Sequence, residues 1–276
     1  MIEGQFAAVA AVRAARAAME EAADAMEARL MVGGRLIYAG AGTSGRIAVQ
    51  DGAELMPTFS WPADRLLLFI AGGNEALLQA VEGAEDQTEH ALALVKNHNI
   101  AADDVLIAAA ASGTTPFTLA CLRGAKAAGA LTVGIANNRG TPLLKEADHP
   151  ILLDTGSEPI AGSTRMKAGT AQRITLNVLS SLLMIRLGRV YEGLMVDVQA
   201  TNKKLTKRSE DMLTHLTGRS AEDVREALTG ADGSVKLAVL LLKGCRPEDA
   251  KTLLDRCGGR LRVALAELRD SRLPPD

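Results

Sequence analysis

GRLIYAGAGTSGR, at residues 34–46, is the stretch that decides the fold of this 276-residue chain. Its apolar run at 36–39 is typical of a buried strand, and its glycines and hydroxyls predict a tight turn into a helix near 44–55. A strand, a small-residue turn and a helix start make one unit of an α/β fold. The free backbone N–H groups at such a helix start point toward an anion.

A second loop repeats this chemistry. It reads ASGTTP at 111–116 and follows the apolar run VLIAAA at 105–110. Because parallel strands present their carboxyl ends at one edge of a sheet, the first loop (40–46) and the second loop (111–116) are expected to lie at the same edge. Together they predict a pocket for a phosphorylated small molecule.

Strand-like and helical runs alternate along the chain. The apolar runs stand at 36–39, 66–71, 105–110, 131–136 and 151–153, with helices predicted near 44–55, 74–97 and 115–128. This alternation predicts an α/β fold with a doubly wound, mainly parallel five-stranded sheet flanked by helices.

Two further helices are predicted outside this alternation. The Ala-rich segment 6–31 predicts one long amphipathic helix that stops at Gly33 and Gly34. The segment 163–187 predicts a helix with leucines at helical spacing, namely Leu176, Leu179, Leu183 and Leu187. That helix is interpreted either as a core helix or as one buried in a subunit interface.

A short repeat begins near residue 216. AEDV at 221–224 resembles PEDA at 247–250, at an offset of 26 residues. Each unit predicts two short helices broken at a glycine, and two copies are too few for a solenoid. The predicted organisation is an N-terminal helix at 1–32, an α/β domain at 33–213 and a small helical appendage at 216–270.

Composition argues against several classes of function. A net charge of −2 gives no electrostatic case for nucleic acid or an anionic membrane. Three widely spaced cysteines and four histidines indicate neither a disulfide framework nor a metal site. No apolar run of about 18 residues predicts a membrane span. No secretory signal is visible, so a soluble cytoplasmic protein is expected.

The first loop also matches the dinucleotide fingerprint, with Gly40, Gly42 and Gly45 at the required spacing. That interpretation needs an acidic residue for the ribose at the end of the second strand, where the chain reads FIAGG at 69–73. It also leaves the second loop unexplained, and the lysine of a Walker motif is absent.

A third block, GSEPIAGSTRMKAGTAQ at 156–172, favours a sugar phosphate as the ligand. It gathers hydroxyls, glycines and the cations Arg165 and Lys167 at another predicted helix start. Such donors suit an anionic, polyhydroxylated molecule. Aromatic residues make up only 3% of the chain, so little surface is available to stack a nucleotide base.

With these blocks in view, the chain resembles the N-acetylmuramic acid 6-phosphate etherases, which are sugar isomerase (SIS) domain proteins. The resemblance is carried by residues 34–46, 80–86, 162–172 and 194–205. It implies cleavage of a D-lactyl ether by elimination and water addition, giving N-acetylglucosamine 6-phosphate and D-lactate. It also implies a homodimer with sites near the interface and no metal or organic cofactor.

The resemblance further implies two catalytic glutamates. Glu54 corresponds to the family's acid and Glu85, in the motif GAED, to its base. The aldehyde of the open-chain sugar acidifies the C2 proton, so a carboxylate can remove it while a carboxylic acid protonates the departing ether oxygen at C3. Without the resemblance, Glu82, Glu85 and Glu89 are interpreted as the solvated face of the helix predicted at 74–97.

The same resemblance implies the phosphate contacts. Ser44, Ser112 and Thr115 are expected to bind the phosphate, with Thr43 and Gly113 supplying loop backbone. Ser163 and Arg165 are added from the third block. Glu158 and Lys167 are assigned either to the sugar or to ordering the site.

Three departures from the family pattern are expected. The first is that the family's longer N-terminal lead before the first long helix is missing or replaced here. Leu55-Met56-Pro57 replaces the usual Cys-Pro-Pro after the first glutamate, and Thr114 replaces an arginine in the second loop. Two other functions stay open on the sequence alone. One is a non-catalytic sugar-phosphate sensor, and the other is an aldose–ketose isomerase that shares the C2 proton abstraction but releases no lactate.

Overall fold

The structure, a computed structural model, describes residues 1–198 and 203–270. The chain divides into two compact units. The first is Met1–Glu54 with Pro62–Leu183, and the second is Leu55–Trp61 with the residues from Met184 onward. Each unit is described by itself below.

A five-stranded parallel sheet forms the centre of the first unit. Its strands are β1 (Leu36–Gly40), β2 (Leu66–Ile70), β3 (Val105–Ala109), β4 (Leu131–Ala136) and β5 (His149–Leu152), in the order β2-β1-β3-β4-β5. Every residue of β1 and of β3 is buried, as expected for central strands covered on both faces. The predicted doubly wound α/β sheet is thereby confirmed.

The register of β1 and β3 places the two predicted loops at one edge. Gly40 pairs with Ala109, the last residue of β3, in the parallel ladder between adjacent strands. The first loop follows Gly40 and the second follows Ala109, so both leave from the carboxyl edge, as the sequence predicts. Burial of Ile37, Leu106 and Phe117 in one apolar cluster fixes this arrangement.

The helices that begin in the first unit are α1 (Ile2–Ala14), α2 (Arg16–Met31), α3 (Gly42–Phe59), α4 (Thr88–Asn97), α5 (Pro116–Ala127), α6 (Pro142–Glu146) and α7 (Lys167–Arg186). Short 3-10 turns stand at Ala63–Arg65, Gly73–Leu77 and Ala84–Asp86. On α7 the four recurring leucines are buried, which supports the core interpretation for that face. Val178 and Ile185 of α7 are 41% and 52% exposed.

Two predicted helices differ from the structure. The segment 6–31 is not one helix, because α1 and α2 are separated at Ala15. The helix predicted at 74–97 is wrong: only Thr88–Asn97 is α-helical. Gly72, Gly73 and Gly83 adopt positive φ angles, which an α-helix does not accommodate, so the segment before α4 breaks into 3-10 turns. The predicted acidic helix face is therefore absent.

Within its described residues, the second unit contains a small hairpin and five helices. Strands β6 (Val190–Tyr191) and β7 (Leu194–Met195) pair antiparallel. The helices are α8 (Lys203–Thr217), α9 (Ala221–Gly230), α10 (Val235–Leu242), α11 (Pro247–Arg256) and α12 (Leu261–Asp270). The helix pairs α9–α10 and α11–α12 share one apolar core, and the two-unit repeat of the sequence stays a prediction. Residues 199–202 of the 194–205 motif lie outside the described residues.

Among residues 1–198 and 203–270, no helix is both long enough and apolar enough to cross a membrane. Within the same ranges, no group of three or more His, Cys, Asp and Glu side chains is placed to hold a metal ion.

Candidate active site

The first loop is held tightly between β1 and the start of α3. An ideal Cβ on Gly45 would lie 2.7 Å from the carbonyl oxygen of Gly40, so helix and strand approach at a distance that only glycine allows. Gly42 opens α3 with φ of +51°, in the left-handed region. Ser44 lies in this first turn and is 7% exposed. The turn therefore sets unsatisfied helix N–H groups beside a serine hydroxyl.

The second loop gathers its hydroxyls at the start of α5. Ser112 Oγ and Thr115 Oγ1 lie 3.3 Å apart, and the Thr114 amide donates to Ser112 Oγ at 3.2 Å. Gly113 has φ of +67°, and an ideal Cβ there would lie 2.3 Å from Thr141 Oγ1. Thr115 is the N-cap residue of α5, but its side chain makes no capping hydrogen bond. Both loops thus combine a helix start with hydroxyl groups, which suits a phosphate.

In the third block, the N-terminus of α7 is capped by the carboxylate of Glu158. The Glu158 carboxylate accepts from the amides of Lys167 at 3.0 Å and Ala168 at 2.8 Å. This cap explains why α7 begins at Lys167 and not at residue 163 as predicted, since a carboxylate stabilises a helix N-terminus. Because Glu158 occupies these two backbone amides, the block presents side chains to a ligand. Of these, Ser163 is half-buried and Arg165 is exposed.

The first turns of α7 lie beside the first loop. An ideal Cβ on Gly169 would lie 3.4 Å from Thr43 Cγ2. One turn later, Gln172 Nε2 donates to Asn137 Oδ1, and Asn137 Nδ2 donates to the Leu153 carbonyl, each at 2.9 Å. These bonds fasten α7 to the segments that follow β4 and β5. The structure thus brings the third block to the edge from which both loops leave.

Glu85 is exposed on a short turn that is fastened to the same edge. Its neighbour Ala84 is 4% exposed and packs into the apolar core of the sheet. Arg46, which closes the first loop, donates to the carbonyls of Ala76 at 2.7 Å and Gln79 at 2.9 Å, in the segment leading to Glu85. Sequence reasoning missed this role of Arg46, whose only signal was its place at the end of the glycine motif.

Glu54 is placed elsewhere on the same helix as the first loop. It is exposed and follows Gly42 by twelve residues on α3. At a rise of about 1.5 Å per residue, its Cα lies about 18 Å along the helix from that loop. An ideal Cβ on Gly52 would lie 2.6 Å from Leu68 Cδ2 and 3.3 Å from the Tyr38 ring, so α3 runs back along the sheet away from the carboxyl edge. Within one chain, Glu54 does not join the loops.

A buried carboxyl that the sequence did not reveal stands one turn before Glu54. Asp51 is 5% exposed and accepts hydrogen bonds from Tyr38 Oη at 2.8 Å and Ser180 Oγ at 3.3 Å. Burial raises the pKa of Asp51, the two hydrogen bonds oppose that shift, and the charge of Glu54 adds to it. Burial also raises the pKa of Tyr38 well above its usual value.

The chain was compared with known proteins. Residues 14–126 match the glucokinase regulatory protein N-terminal SIS domain, and residues 77–182 match the SIS domain. A phosphoheptose isomerase from Francisella tularensis superposes with a TM-score of 0.47 at 21% identity, covering 66% of this chain and 91% of that one.

Two curated relatives cover almost the whole chain. The N-acetylmuramic acid 6-phosphate etherase of Deinococcus radiodurans is 53% identical over 268 residues, 97% of this chain and 88% of that protein. The Streptomyces coelicolor etherase is 46% identical over 268 residues, 96% of this chain and 86% of that protein. The chain belongs to the N-acetylmuramic acid 6-phosphate etherase family.

Two of the expected departures from the family pattern can be located in this etherase-family chain. Leu55 is buried, Met56 is exposed, and Pro57 lies inside α3 without ending it. Thr114 is exposed on the second loop, where its amide donates to Ser112 Oγ. The first thus lies at the end of the helix that carries Glu54, and the second puts an uncharged side chain on the surface of the second loop.

Proposed function

We propose that this protein is an N-acetylmuramic acid 6-phosphate etherase, which cleaves the D-lactyl ether to give N-acetylglucosamine 6-phosphate and D-lactate. The observation that carries the proposal is the pair of glycine-hydroxyl loops at the carboxyl ends of adjacent parallel strands, in a chain of this family. The loops hold the 6-phosphate through Ser44, Ser112 and Thr115, together with backbone amides at Thr43 and Gly113. Ser163 and Arg165 approach from the third block.

The reaction is an elimination followed by an addition of water. Glu85 removes the C2 proton of the open-chain sugar, and the C3–O bond breaks as Glu54 gives its proton to the departing lactyl oxygen. The product of this step is an α,β-unsaturated aldehyde and D-lactate. Water then adds at C3, which restores the saturated sugar as N-acetylglucosamine 6-phosphate.

The position of Glu54 supports a site that a second copy of the chain completes. Its side chain cannot span the roughly 18 Å of helix that separates it from the first loop, and helical side chains lean by only a few ångströms. We therefore assign the acid at each site to Glu54 of the partner subunit, with the loops and Glu85 supplied by one chain. A homodimer with sites at its interface satisfies this requirement.

An exposed apolar face on α1 supports the dimer. Ile2, Phe6 and Val9 recur at helical spacing and are 81%, 65% and 53% exposed. Such side chains are typical of surfaces that a second subunit covers. We also propose a cytoplasmic location, which the family resemblance and a phosphorylated substrate support.

The proposal is tested by measuring D-lactate released from N-acetylmuramic acid 6-phosphate. We expect the wild type to release D-lactate and N-acetylglucosamine 6-phosphate in equal amounts. Glu54→Gln and Glu85→Gln should each lower kcat by about 10²- to 10⁴-fold, as general acid–base groups do. The exposed Glu75→Gln, on a neighbouring turn, serves as the control. A ketose phosphate without lactate, or binding without turnover, overturns the proposal.

A further inference from the structure

Lys167, the first residue of α7, has a half-buried side chain that sequence reasoning left without a definite role. Its stem lies against α1, since an ideal Cβ on Gly4 would lie 3.6 Å from Lys167 Cδ. Its ammonium lies beside Gly156, where an ideal Cβ would lie 3.9 Å from Nζ. The side chain therefore lies against both segments, and its charged end reaches the segment after β5.

This ammonium has no carboxylate partner within ion-pair distance among residues 1–198 and 203–270. The acids of the neighbouring segment are engaged elsewhere. Asp154 pairs with Arg139 at 2.8 Å, and the Glu158 carboxylate is spent on the amides of Lys167 and Ala168. The Lys167 side chain is half-buried, and its ammonium is free to pair with an anion that a ligand brings. Lys167 thus has the properties of a binding group for an anion.

The position of Lys167 fits a second anion on a molecule whose phosphate lies in the loops. Two residues further along α7, Gly169 lies beside Thr43 of the first loop. Across the sheet, β5 is two strand positions from β3, which at about 4.8 Å per position separates their carboxyl ends by about 10 Å. The ammonium therefore lies along the same edge as the phosphate loops but apart from them.

We propose that the Lys167 ammonium binds the lactyl carboxylate of the substrate, an inference that rests on the proposed function. N-acetylmuramic acid 6-phosphate carries two anions, the phosphate on C6 and the carboxylate on the C3 ether. The first occupies the loops, and the second extends along the edge toward the end of β5. Lys167 thereby distinguishes a lactyl ether from the same sugar phosphate without it, because only the former presents a carboxylate.

The experiment combines one substitution with one change to the substrate. Lys167→Met keeps the apolar stem and removes the charge. We expect it to raise KM for N-acetylmuramic acid 6-phosphate by about 10- to 100-fold, as loss of a charge-assisted contact does. For the wild type, KM should rise by a similar factor on the analogue whose lactyl carboxylate is replaced by a carboxamide. For Lys167→Met, KM should rise little further on that analogue, because the two changes remove the same contact.

Two controls separate this effect from a general loss of charge or fold. Lys96→Met, on the exposed last turn of α4, should leave both substrates unaffected. Lys167→Arg should restore most of the affinity if the fold is intact. The Ki of N-acetylglucosamine 6-phosphate, which lacks the carboxylate, should stay within about twofold in Lys167→Met.

The outcomes distinguish this inference from the proposed function. If the wild type is active but Lys167→Met raises KM by equal factors for the acid substrate and the carboxamide analogue, the carboxylate site is overturned and the proposed function stands. A wild type that releases no D-lactate overturns the proposed function. In that case, calorimetric titration gives the Kd of the acid substrate and of its carboxamide analogue for the wild type and for Lys167→Met. The carboxylate site is then tested by whether the substitution weakens binding of the acid but not of the amide.

Discussion

At the scale of single residues, Thr114 offers the sharpest test of the phosphate loops. It is exposed beside Ser112, at a position where the family resemblance places an arginine. We expect Thr114→Arg to lower KM for the phosphorylated substrate by about threefold to tenfold at low ionic strength, and by less as salt screens the added charge. Thr114→Gln is the control of similar reach without charge. Equal effects of the two variants would show that charge at this position does not act on the phosphate.

Asp51 shows why a buried polar cluster is invisible at the residue scale. Its partners are Tyr38 on β1 and Ser180 on α7, the second 129 residues away in sequence. No local pattern links an acid in one helix to a hydroxyl in another, so only the folded chain reveals the cluster. Glu54 and Glu85 were accessible from the sequence through the family resemblance alone, because each reads locally as a solvated surface acid.

At the scale of secondary-structure elements, one ion pair links the starts of two central strands. Arg35 precedes β1 and Asp104 precedes β3. Arg35 Nη2 and Nε donate to the Asp104 carboxylate at 2.6 and 3.0 Å, and the Arg35 and Ala101 amides donate at 2.9 Å each. Asp104→Asn leaves a mostly buried guanidinium without its counter-charge. We expect a loss of about 2 to 4 kcal/mol in the free energy of unfolding at pH 7.

The same pair predicts how that loss depends on pH. Burial alone raises the pKa of Asp104, but the hydrogen bonds and charge of Arg35 outweigh it and hold the pKa below its usual value. A carboxyl with a lowered folded pKa adds stability above its unfolded pKa of about 3.9 and loses it as pH falls through the folded value. Urea unfolding should therefore show the difference between wild type and Asp104→Asn shrinking from pH 7 to pH 3. The exposed Asp103→Asn should show no such difference, and a pH-independent loss in Asp104→Asn would contradict the assignment.

Elements with a simple apolar signal were predictable, and those decided by backbone geometry were not. The central strands β1 and β3 follow continuous apolar runs, which burial on both faces requires. The helix predicted at 74–97 failed because Gly72, Gly73 and Gly83 adopt positive φ angles that composition does not announce. The break at Ala15 has no sequence signal either, since alanine is the residue that most favours a continuous helix.

At the scale of the whole molecule, the proposed site between two subunits predicts complementation between inactive chains. A heterodimer of Glu54→Gln and Glu85→Gln chains, isolated with two different affinity tags, contains one site with both glutamates intact. We expect it to show about half the wild-type activity per dimer, since two-fold symmetry gives two sites and one survives. Each variant alone should stay inactive.

The reciprocal heterodimer gives the opposite result. A wild-type chain paired with a chain carrying both substitutions has no complete site if Glu54 acts across the interface, so it should be inactive. If both glutamates of a site came from one chain, that heterodimer would keep half the activity and the complementing pair would have none. The two heterodimers therefore distinguish the arrangements from turnover alone.

The Glu158 cap on α7 has a consequence for the direction in which a substrate enters. Helices α3, α5 and α7 all begin near one edge of the sheet, so an uncapped α7 would be a third attractive place for a phosphate. With the Glu158 carboxylate on the amides of Lys167 and Ala168, this start of α7 is already occupied by an anion. We therefore expect the phosphate end of a substrate to enter toward the starts of α3 and α5, with its other end toward α7.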